Sequence, residues 1–114
     1  MLRTDRKKSD SAALLALARR IDRPDVRRLF ARFCHEVAHF SEDVVIESAP
    51  FDVTLRGPCG FAVAVSPLRE LFLVSLGESR LFDIRVASVD DFTSALDLTL
   101  NKYLAAQART PSVS

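Results

Sequence analysis

Both histidines of this 114-residue chain fall in one five-residue string, His35-Glu36-Val37-Ala38-His39. Residues four apart on a helix lie one turn above each other. The H-E-x-x-H spacing can therefore hold two imidazoles on one metal ion, with a carboxylate beside a metal-bound water. Cys34 and Cys59 supply the only thiols, and neither belongs to a C-x-x-C pair. Cys59 sits in a Gly-Pro-Cys-Gly turn with no histidine assignable as its base. Two free thiols in a reducing compartment are the expectation. A third feature is cationic: Arg28 and Arg32 share a helical stripe with His35 and His39, and Arg20 and Arg27 lie near it.

These side chains must be positioned by helices over the first 40 residues. A polar arm over residues 1–9 carries Arg3, Arg6, Lys7 and Lys8. Leu14, Leu17, Ala18 and Ile21 then recur at helical spacing and predict a short helix from about Asp10 to Ile21. Asp22 reads as the cap of a second helix, with Pro24 in its first turn and Asp25 three residues after the cap. Val26, Leu29, Phe30, Phe33, Val37 and Phe40 give that helix one apolar face.

From Asp43 the hydrophobic period changes to two. Five strands are predicted near 43–49, 51–57, 60–66, 70–76 and 81–87, with every proline of the region between strands. Links this short demand antiparallel neighbours, hence a meander. Ser88 and Asp91 form a capping box for a last helix, whose predicted buried stripe is Phe92, Ala95, Leu96, Thr99, Leu100, Tyr103 and Leu104. The expectation is one α+β domain over residues 10–109 with a loose tail over 110–114. It has two N-terminal helices, a five-stranded antiparallel β-meander, and a long C-terminal helix packed on one face of the sheet.

Alternation predicts what each sheet face carries. Phe51, Val53 and Leu55, with Phe61, Val63, Val65, Phe72, Val74, Leu76, Phe82, Ile84 and Val86, make one face uniformly apolar and fit to receive the helices. The other face has Ala62, Ala64, Leu71 and Leu73 at its centre, flanked by Asp52, Thr54, Arg56, Asp83 and Arg85. A small apolar centre with a charged rim is the composition of a protein–protein contact.

The His35–His39 string resembles the metal-binding helix of the zincins, over these five residues alone. That resemblance implies His35 and His39 as zinc ligands and Glu36 as general base of a small hydrolase. The longer metzincin pattern departs here, because Glu42 replaces its glycine and Val45 its third histidine. Zincins also place a substrate-binding sheet ahead of this helix, whereas here the sheet follows. On a helical wheel His35 points almost directly away from the apolar face, beside two permanent cations that disfavour a divalent ion. The expectation is a solvated stripe, with no metal and no cofactor.

Composition narrows the remaining choices. The net charge is +1, and residues 1–40 hold ten basic against five acidic side chains while residues 41–114 hold six against ten. No apolar run approaches the roughly 18 residues that span a membrane. Lys7-Lys8 followed by residues 12–18 has the outline of a signal peptide, but Arg19-Arg20 follow at once and a cytoplasmic location is favoured. The leading expectation is a non-catalytic interaction module, homodimeric or bound to a protein partner. Its binding residues would be Arg28, Arg32, His35, His39, Ala62, Ala64, Leu71 and Leu73. Nucleic acid is a less favoured partner for the basic stripe. Two further expectations are a small-ligand binder with a pocket between sheet and last helix, and the zinc hydrolase.

Overall fold

The computed structural model describes residues 12–76 and 83–109. A helix over residues 12–18 (α1) leads into α2, Pro24–Ala38. Five strands follow, β1 Val45–Ser48, β2 Val53–Arg56, β3 Ala62–Pro67, β4 Phe72–Ser75 and β5 Ile84–Val86, and then α3, Val89–Arg109. The sheet runs β1-β2-β3-β4-β5 with every neighbour antiparallel. The fold is the predicted α+β meander, with its helices gathered on one face.

Large apolar side chains on that face decide this arrangement. Phe30 and Phe33 of α2 reach Phe72 of β4 at ring-centroid distances of 5.5 and 6.0 Å, and Phe33 meets Phe92 of α3 at 6.3 Å. Farther along α3, Tyr103 stands edge-on to Phe61 at 5.2 Å. Val53, Leu55, Val63, Val65, Val74 and Val86 complete the buried floor, as alternation requires. Thr99, the one polar side chain buried in this core among the described residues, donates its hydroxyl to the Ala95 carbonyl at 2.7 Å. The predicted Phe82 lies outside the described residues.

Several local expectations are corrected. The residue capping α2 is Arg23, without a side-chain cap bond, and Asp22 is drawn instead to the β3–β4 link. There its amide donates to the Arg69 carbonyl at 2.6 Å, and its carboxylate lies 3.3 Å from the Arg69 guanidinium. Pro67 is inside β3 rather than between strands. It faces Phe72, next to the Leu68–Leu71 hydrogen-bonded pair, so its missing N–H falls where the β3–β4 ladder needs no donor. Phe51 belongs to the β1–β2 turn, 69% exposed, with the Arg20 guanidinium 4.8 Å from its ring centroid. Leu100 and Leu104 are also exposed, because the buried line of α3 runs one row away, through Phe92, Ala95, Thr99 and Tyr103.

The cap predicted for α3 holds. Ser88 Oγ accepts the Asp91 amide at 3.2 Å, and the Asp91 carboxylate accepts the Ala87 amide at 3.0 Å. Between β2 and β3 the chain turns through Pro58, Cys59 (φ 61°) and Gly60 (φ 79°), the last two left-handed, and the Gly57 amide donates to the Phe61 carbonyl at 2.9 Å to close the loop. Gln107 of α3 clasps this turn. Its Nε2 donates to the Pro58 carbonyl at 3.3 Å, and its Oε1 accepts from the Cys59 thiol at 3.4 Å.

Candidate functional site

The sheet face away from the helices is built in rows by the strand register. One row crosses the sheet as Glu47, Thr54, Ala64 and Ser75, and continues to Asp83, whose carboxylate accepts the Ser75 hydroxyl. The next row, continuing the same register, reads Asp52, Ser66, Leu73 and Arg85. Val45, Arg56 and Ala62 lie on the other side of the first row, and Leu68 and Leu71 close the β3–β4 end. Ala62, Ala64, Leu71 and Leu73 thus come together, each only half-buried, as alternation predicts. Two larger side chains extend the apolar area at its corners, Val45 at 43% and Leu68 at 44% exposure.

The charges on this face differ in their partners. Arg56 Nε lies 2.7 Å from Glu47 Oε1, a diagonal pair across β1 and β2. Asp52 and Arg85 make no ion pair among the described residues. They occupy opposite ends of one row, three strand spacings or about 14 Å apart, too far to meet within the chain.

The helical stripe is a second surface, on the outer side of α2. His35 is exposed there, and His39 ends the helix as its C-cap residue. Their ring centroids are 4.2 Å apart, and His39 Nδ1 is 2.8 Å from the His35 carbonyl, which holds that nitrogen as the protonated donor. Arg32 is 3.5 Å from Glu36, with its guanidinium 5.2 Å from the Phe92 ring centroid. Arg27 leaves the stripe altogether. Its Nε and Nη2 donate to the Ile21 carbonyl at 3.0 and 2.7 Å, closing the end of α1. Of the four arginines named from the sequence, Arg28 is the one with no such engagement among the described residues.

Among the described residues no three His, Cys, Asp or Glu side chains stand close enough to hold one ion. Cys34 is buried in the core, and desolvation pushes its thiol up to about 12, so it stays neutral at physiological pH. The space between the sheet and α3 is occupied by Phe33, Phe61, Phe92 and Tyr103. An open groove of about 280 Å³ lies elsewhere, between α1 at Ala13, Leu17 and Arg20 and the β1–β2 link at Ser48 and Pro50. Sequence reasoning missed it, since only the α1–β1 contact reveals it.

No protein-family model matches this chain, and no curated protein and no solved structure matches it either. Among the described residues no helix is long and apolar enough to cross a membrane. The two candidate surfaces lie on opposite sides of the molecule, because α2 covers one face of the sheet and presents its stripe away from it. They cannot form one continuous site.

Proposed function

We propose that this protein is a small non-catalytic interaction module whose contact surface is the open face of its sheet. One observation carries this reading. The half-exposed apolar strip Ala62, Ala64, Leu71 and Leu73, extended by Leu68, is continuous across β3 and β4 and rimmed by charge. The helical stripe supports the reading less, because three of the four nearby arginines are engaged within the chain. Its remaining role would be a secondary electrostatic contact, nucleic acid included, and binding of that kind would fall steeply with added salt.

The test is photo-crosslinking in the cells that make the protein, with benzoylphenylalanine placed at Leu73 or, as control, at Leu98 on the exposed side of α3. A crosslinked product from position 73 and none from position 98 is expected. No product from 73 would overturn the reading. The hydrolase alternative is checked on the same preparation: stoichiometric zinc, lost in His35→Ala, would replace the module with an enzyme.

A further inference from the structure

We infer that the partner of the open face is a second copy of this chain, stacked sheet to sheet about a two-fold axis parallel to the strands between β3 and β4. This rests on the interaction-module reading and specifies its occupant. The inference begins from the row Asp52, Ser66, Leu73, Arg85, in which the two end charges lack an ion-pair partner among the described residues. A two-fold axis along the strands sets β2 of one copy over β5 of the other, and β3 over β4. Asp52 then meets Arg85 of the second copy, and the symmetry repeats the pair at the other edge, as an isologous interface demands.

The same operation treats the remaining rows consistently. Leu68 meets Leu71, Ser66 meets Leu73, Ala64 meets Ser75 and Thr54 meets Asp83, so no two like charges are opposed among the described residues. Glu47 and Arg56 keep their own pairing, with Glu47 on the outermost strand beyond the overlap. An axis across the strands would instead set each strand on its own copy, so Asp52 beside β2 could not meet Arg85 of β5. The small centre at Ala62 and Ala64 lets two sheets approach to the usual spacing of about 10 Å.

The size of the face sets the expected strength. Four strands by about six residues give roughly 20 by 20 Å, so two copies bury roughly 800 Å² in total. That is below the roughly 1,600 Å² of a standard interface and fits a dimer with a Kd in the micromolar range.

The experiment is sedimentation equilibrium of the full chain from about 1 to 300 µM, at low and at moderate salt. It compares the wild type with Asp52→Arg, Arg85→Asp and the double exchange. A dimer whose Kd rises about tenfold or more in each single variant and returns towards wild type in the double variant is the expected result. Asp52→Asn and Arg85→Gln, milder changes that each raise Kd several-fold, serve if a reversal fails to fold. A chain that stays monomeric throughout, or a dimer indifferent to all these exchanges, would overturn the inference. The module reading is separable from it: crosslinks from position 73 at twice the chain mass mark self-pairing, and those at another mass mark a different protein.

Discussion

The two faces of the sheet are made by alternate residues of the same strands, yet they follow different rules. On the covered face, neighbouring positions carry Phe61, Val63, Val65, Phe72 and Val74, all buried and interlocked with aromatic rings from both long helices. On the open face the residues between them are Ala62, Ala64, Ser66, Leu73 and Ser75, small or moderately apolar and half-exposed. Volume and ring packing hold the first face together, so its residues belong to stability. The second contributes little to the fold of one chain, since its side chains stay half-exposed. A strand such as β4, Phe72-Leu73-Val74-Ser75, therefore carries a buried side and an open side one residue apart.

The sharpest way to break this comparison is to truncate adjacent residues. Phe72→Ala is expected to cost about 3–5 kcal/mol, since it empties the site where Phe30 and Phe33 converge. Leu73→Ala is expected to cost about 1 kcal/mol or less at monomeric concentration, as befits a half-exposed position. Urea denaturation of the two variants measures the difference, and similar losses would mean that the open face is covered within the chain.

A second test concerns Cys34, on the covered side. Burial raises its folded-state ionisation to about 12 from an ordinary value of 9.0. The sign follows from linkage: the neutral thiol's contribution is complete below pH 9 and is lost as pH rises from 9 towards 12, where the unfolded chain releases the proton first. Unfolding free energies at pH 7, 9.5 and 10.5 should fall more steeply in the wild type than in Cys34→Ala, and parallel curves would refute the assignment. A native thiol titration should meanwhile label exposed Cys59 alone.

The smallest expected effect lies at the turn, where Cys59 holds a positive φ that Asn adopts more readily. Cys59→Asn is expected to raise stability by about 0.5 kcal/mol despite losing the thiol bond to Gln107, read as a small upward shift in Tm. A lower Tm would show that the Gln107 clasp outweighs the backbone gain.

Periodicity alone makes most of this architecture legible. The change from a period of 3.6 to 2 near Asp43 located the sheet, and alternation sorted Val63 from Ala64 and Val74 from Leu73 onto the correct faces. What it could not show were contacts between distant segments. Asp22 looked like a helix cap because its partner Arg69 lies 47 residues away. Phe51 continued the alternation of β2 although the turn had already carried it outward. Leu100 and Leu104 fit a helical stripe equally well one row over, and only the sheet beneath α3 decides which row is buried. At the candidate site, the apolar centre was visible from alternation, but the shared row of Asp52 and Arg85 required the register.

The covering of the sheet by α3 also has a consequence for the order in which the chain emerges during synthesis. Residues up to about 88 can assemble α1, α2 and the hairpins from near neighbours, but Phe33 and Phe61 then lack the rings that α3 brings. A chain truncated before Val89 leaves this apolar surface uncovered, which is the condition under which chaperones bind and aggregates begin. Docking of α3 closes that surface, and Gln107 near the helix's end ties it to the Pro58–Cys59 turn.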